Sequence, residues 1–159
     1  MKTAASSLLP TDWKRLLPSS SQEVSHAYII EGNRQDALPF ARALAQHLLC
    51  VSKDGTSAAK ILPPFRDLAE QTEEKISIAM VRSLTASLYQ QPLESRYRVF
   101  LLDYADRMRE EAQNALLKSL EEPPEYLVWI LVAQNSRKLL PTVRSRCRLL
   151  FLSPQNQEK

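Results

Sequence analysis

Four apolar runs of strand length, separated by amphipathic stretches, restrict what this chain can fold into. Residues 27–31, 97–102, 126–132 and 147–152 each carry enough consecutive apolar side chains for a strand buried on both faces. Between the first two, Phe40, Ala41, Leu44, Ala45, Leu48 and Leu49 recur at helical spacing within residues 36–50. Val81, Leu84, Thr85 and Leu88 do the same within 78–90, and further helical stretches cover 109–121 and 141–146. Residues 64–71 fit a short strand or a turn equally well. Apolar strands alternating with helices imply an α/β domain whose parallel sheet is covered on both faces. In such sheets functional groups collect beyond the carboxyl ends of the strands.

The loop after the first strand sharpens that expectation. Gly32-Asn33-Arg34-Gln35-Asp36-Ala37-Leu38-Pro39 has the length and setting of a phosphate-binding loop, Gly-x-x-x-x-Gly-Lys-Ser/Thr, between strand and helix. Ala37 stands for the second glycine, Leu38 for the lysine and Pro39 for the hydroxyl residue. Leu38 offers no charge to the β/γ-phosphates; Pro39 offers neither a magnesium ligand nor an N–H. Losing two or three charge-assisted contacts at roughly 1.5–3 kcal/mol each removes about 3–9 kcal/mol. At about 1.4 kcal/mol per decade, a micromolar nucleotide site becomes millimolar or disappears. Pro39 also suits the first position of a helix, so the strand–loop–helix geometry is expected to survive.

The other strand ends read similarly. Asp103 closes an apolar strand, where a Walker B carboxylate sits near Mg²⁺. The next residue is Tyr104 instead of a water-polarising glutamate, so Asp103 is read as retained structure, and Asp106 as a cap on the following helix. Gln134 and Asn135 follow the 126–132 strand. Glu110, Glu111, Glu121 and Glu122 read as solvated helix-end charges. His26 and His47 lack partners at triad or metal spacing, and no metal site is expected. From residue 134 to 152 there are five cations, Arg137, Lys138, Arg144, Arg146 and Arg148, and no acid. The last three bracket a helix–strand junction, from which an arginine can reach a phosphate held by a neighbouring protein.

Whole-chain properties bound the class. The 159 residues suit one domain, able to bury roughly 70% of its unfolded surface. A net charge of +3 permits contact with nucleic acid without demanding it. No apolar run approaches the ~20 residues of a membrane span, and the N-terminus lacks a secretory core. Cys50 and Cys147 lack Cys-x-x-Cys spacing, which points to reduced, partly buried thiols in a cytoplasmic protein. Residues 1–25 read as a short helix (12–17) and a Ser-rich connector, 52–60 as a mobile loop, and 153–159 as a polar tail.

Several motifs together resemble the AAA+ domain of bacterial clamp-loader subunits. They are His26-Ala27-Tyr28, Arg42-Ala43-Leu44-Ala45, Asp103-Tyr104-Ala105-Asp106, Ala112-Gln113-Asn114-Ala115-Leu116-Leu117-Lys118-Ser119-Leu120-Glu121-Glu122-Pro123-Pro124, and Leu140-Pro141-Thr142-Val143-Arg144-Ser145-Arg146-Cys147. The last two are the most specific. The resemblance implies a three-layer, P-loop NTPase-like AAA+ domain over residues 26–152, with a central, mainly parallel five-stranded sheet. The degenerate loop points to the delta prime branch of DNA polymerase III clamp loaders instead of the ATP-hydrolysing gamma/tau branch. It further implies that the Ser145-Arg146-Cys147 motif supplies Arg146 as an arginine finger to ATP-Mg held by a gamma/tau subunit, with Thr142 to Ser145 setting its presentation. The chain itself would need no cofactor and have no ATPase activity; Asn135 would be a remnant sensor. Its partners would be the gamma/tau and delta subunits, and indirectly the sliding clamp and primed DNA. Two departures stand out. Cys50 is the sole remnant of a four-cysteine zinc module, and the lid and collar domains are expected to be absent. A gamma/tau-like ATPase with an unconventional loop, or a non-replicative interaction module with this fold, remain as alternatives.

Overall fold

A computed structural model of the chain describes residues 10–51 and 65–153. The expected 52–60 loop and nearly all of the polar tail lie outside the described residues. The strands are β1 (Ala27–Glu31), β2 (Leu68–Gln71), β3 (Arg98–Leu102), β4 (Leu127–Ala133) and β5 (Arg148–Phe151). The helices are α1 (Thr11–Lys14), α2 (Arg34–Leu49), α3 (Ile78–Ala86), α4 (Glu110–Glu121) and α5 (Pro141–Arg144). The ambiguous 64–71 segment thus contains a strand, and all four strand pairings, in the order β2-β3-β4-β1-β5, are parallel.

Side-chain alternation along the strands builds the three layers. Tyr28, Ile30, Val99, Leu101, Val128, Ile130 and Val132 point to one face and bury Phe40, Ala41, Leu44 and Leu48 of α2. Ala27, Ile29, Phe100, Leu102, Trp129 and Leu131 point to the other, against Val81 of α3, Leu116 and Leu120 of α4, and Val143 of α5. A period of two on the strands meets a helical stripe on each side, as a doubly covered sheet requires.

Several element boundaries differ from the pattern-based reading: α1, expected over 12–17, spans Thr11–Lys14, and β3, β4, β5 and α4 shift by a residue at one or both ends. Helix α3 ends at Ala86, four residues early, where the Ser87 hydroxyl donates to the Leu84 carbonyl and turns the chain. Helix α5 stops at Arg144, before the arginine it presents. Helix α2 begins at Arg34 instead of near residue 36, because the Asn33 side-chain oxygen accepts the Gln35 N–H and caps it there. Pro39 is therefore the sixth residue of the helix and not its first.

Candidate functional site

The early start of α2 rebuilds the phosphate loop from within. The N–H groups of Asp36 and Ala37 donate to the Asn33 carbonyl, at 2.9 and 2.8 Å, and that of Gln35 to the Asn33 side chain. An anion nest needs such groups unpaired and convergent; here they belong to the first helical turn. Ala37 and Leu38, in the places of the glycine and lysine, are buried in the core under the sheet, and Pro39 faces solvent. Gly32 keeps a different task. A Cβ there would meet the Cβ and carbonyl oxygen of Leu152 at 3.2 Å, so the missing side chain lets the end of β5 close onto β1. The residues of this loop do not fit a magnesium triphosphate.

Across the sheet, Asp103 lies at the end of β3, two strands away from β1 with β4 between them. Two strand spacings amount to about 10 Å, within reach of an arginine. Arg34 bridges that gap: its Nε and Nη2 lie 3.0 and 2.8 Å from Asp103 Oδ2. The other oxygen, Oδ1, accepts the Tyr104 N–H at 2.8 Å. Asp103 is 1% exposed, so a guanidinium from the loop itself compensates a carboxylate that a working site would turn toward a metal ion.

Tyr104 takes part in the same closure. Its φ of 54° is the one positive value at a non-glycine among the described residues. Such backbone persists only where the surroundings over-determine it. The Arg34 guanidinium lies 4.6 Å from its ring centroid and that of Arg107 4.9 Å away, and Arg107 is in turn paired with Glu74. Asp106 does not cap α4, whose N-cap residue Arg109 makes no side-chain bond. Its Oδ2 accepts the N–H groups of Gln134 and Asn135, both at 3.1 Å, and ties the β3 and β4 ends together. Asn135 turns its own side chain to the Arg137 N–H. The three strand-end segments thus come together as the topology predicts, joined to one another.

Arg146 sits at the opposite end of the sheet, just before β5 begins. Buried Gln113 places the segment: its Nε2 donates to the Met108 carbonyl, and its Oε1 accepts the Leu140 N–H at 2.7 Å. Arg146 Nη1 donates to the Thr142 carbonyl at 3.0 Å and lies 3.4 Å from the Ser145 hydroxyl, while Nη2 lies 2.9 Å from Glu121 Oε1. Glu121 is therefore a partner of the motif arginine and not a freely solvated charge. Ser145 donates to the Thr142 carbonyl. Burial pushes the Cys147 thiol up to about 12, so it is neutral and unreactive at physiological pH. Arg144 and Arg148 are exposed, as are Arg137 and Lys138.

The remaining candidates resolve as packing or surface. His26 Nε2 lies 3.1 Å from the Leu120 carbonyl and His47 Nε2 2.7 Å from that of Pro18. Glu110 and Glu111 occupy the first turn of α4, where the helix dipole favours them. Among the described residues no cluster of histidine, cysteine or acids is arranged to hold a metal, and no helix is long and apolar enough to cross a membrane. Sequence reasoning missed the Arg34–Asp103 pair, although topology offered a signal: a cation in the loop and an acid at a strand end face the same crevice. Nothing in the spacing of Glu121 and Arg146 announced their contact.

Comparison with known proteins gives this geometry a family. Residues 11–156 match the family model described as DNA polymerase III, delta subunit. The chain is 31% identical to the Escherichia coli K12 delta prime subunit of DNA polymerase III, over 94% of this chain and 49% of that one. It is 33% identical to the Mycobacterium tuberculosis H37Rv gamma/tau subunit, over 77% of this chain and 23% of that protein. A crystal structure of a gamma subunit-related protein from Thermotoga maritima superposes with a TM-score of 0.71 at 26% identity, covering 92% of this chain and 46% of that one. The chain spans less than half the length of each of these relatives. It belongs to the DNA polymerase III delta subunit family and is a delta prime-like clamp-loader protein with the AAA+ fold.

Proposed function

We propose that this domain acts in DNA replication as a non-hydrolysing member of a clamp loader, lending Arg146 to ATP bound by a neighbouring gamma/tau subunit. The observation that carries the reading is the Arg34–Asp103 pair, which puts the chain's own cation where a working site would gather metal and phosphate. With its loop N–H groups inside a helix and Leu38 in the core, the domain has no donor set for a triphosphate of its own. Arg146 lies at the other end of the sheet, in the Ser-Arg-Cys motif, held by a carbonyl and a carboxylate. A guanidinium so held can meet charge developing on a γ-phosphate in the transition state, which is how an arginine supplied in trans accelerates hydrolysis.

Two measurements test this. Calorimetric titration with ATP and Mg²⁺ is expected to give no binding in the micromolar range. Reconstitution with gamma/tau and delta subunits is expected to give ATP hydrolysis that depends on this chain and is lost in Arg146→Ala. Unchanged hydrolysis in that variant removes the finger from the account. The 33% identity to gamma/tau favours a second reading, an ATPase with an unconventional loop; micromolar ATP affinity of the isolated chain would establish it.

A further inference from the structure

Glu121 and Arg146 approach each other from the end of α4 and from the segment that follows α5. Glu121 is the last residue of α4; Leu116 and Leu120 of that helix are buried, and the Leu120 carbonyl is engaged by His26. Pro123-Pro124 then forces the chain out of helix, so the last turn ends at a defined place. Arg146 follows α5, whose Val143 is fully buried and whose start is tied to α4 through Gln113. Of Arg144, Arg146 and Arg148, only Arg146 has a carboxylate partner among the described residues.

The contact is a poor candidate for a stability device. The two side chains are 35% and 47% exposed, and ion pairs of that exposure contribute little to folding. What it restricts is direction. Arginine is among the side chains with most rotamer freedom to lose, and here Nη1 rests on the Thr142 carbonyl while Nη2 rests on Glu121. A guanidinium has five N–H donors, so this bracing leaves others open toward solvent.

We infer that Glu121 is the positioning residue for Arg146: it holds the guanidinium in one orientation so that its open donors can meet a phosphate of a neighbouring subunit without first being ordered. The inference rests on the proposed finger role. It makes α4 and its terminal carboxylate part of the device, and not α5 and the Ser-Arg-Cys motif alone.

The test uses the full natural chain in the reconstituted complex and reads the hydrolysis that depends on this chain. Glu121→Ala is expected to lower its kcat about tenfold, which corresponds to about 1.4 kcal/mol, with little change in KM for ATP. Glu121→Gln, which keeps an acceptor oxygen, is expected to retain most of the rate. The double variant Glu121→Ala/Arg146→Ala should be no slower than Arg146→Ala, because the carboxylate acts only through the arginine. Thermal melting of Glu121→Ala should stay close to that of the parent, which a merely structural role would not predict. A wild-type or raised rate in Glu121→Ala, with Arg146→Ala inactive, overturns the positioning role alone. Full activity in Arg146→Ala overturns the finger reading beneath it.

Discussion

Asp103 spends one oxygen on the Tyr104 N–H and the other on Arg34, so removing the guanidinium strands a buried carboxylate. Arg34→Ala is expected to lower the free energy of unfolding by roughly 1.5–3 kcal/mol, measured by urea denaturation. A loss under about 0.5 kcal/mol, the level of a neutral surface change, would mean that the pair is decoration. Cys147 makes a pH-dependent prediction. Its thiol is raised from 9.0 to about 12 by burial. Below pH 9 the thiol is neutral in both folded and unfolded chains. Between about 9 and 12 only the unfolded chain ionises, and stability falls as pH rises, by up to about 1.4 kcal/mol per pH unit. Urea melts at pH 8 and 10.5 should show a smaller alkaline loss in Cys147→Ala than in the parent. At this scale part was readable in advance, since the missing charge of Leu38 and the missing N–H of Pro39 are given by residue type. The partner of Asp103 was not, because an ion pair across two strands depends on a register that no single segment encodes.

Helix α2 shows what pattern reading resolves and what it leaves out. Its apolar stripe identified the helix and its buried face. Its start was missed by two residues because the apolar pattern is silent on caps, and Asn33 supplies one before the stripe begins. The consequence is a proline inside the helix, leaving the Gln35 carbonyl without an intrahelical partner. Pro39→Ala restores that bond while giving up some restriction of the unfolded chain, and is expected to stabilise by about 2 kcal/mol. Chemical denaturation measures it; a destabilised variant would show that the helix does not run through this position. Strand β2 was ambiguous for another reason. It is a four-residue edge strand, half-exposed, with Glu70 in its middle, so neither continuous apolarity nor clean alternation marks it.

Across the whole molecule, the closed loop and Arg146 lie at opposite ends of the strands. Under the proposed finger role, surfaces so separated suit head-to-tail contacts, in which each subunit meets its neighbours with different faces. The parallel five-stranded sheet and its layers were foreseeable, because alternating strands and helices imply a doubly covered parallel sheet; the strand order came only from the structure. The link from α4 to Arg146 was not, since a helix end and a motif 25 residues later meet only through packing.

The burial of Leu38 has a consequence for any attempt to install nucleotide chemistry here. A lysine at position 38 would not place a phosphate ligand in the crevice; it would drive an ammonium group into the apolar layer beneath the sheet. Leu38→Lys/Pro39→Thr is therefore expected to lose several kcal/mol of stability and to show no micromolar ATP binding by calorimetry, while Arg34 still holds Asp103. A nucleotide site here would need three changes at once: a shorter helix, a core repacked around position 38, and an Asp103 released from Arg34.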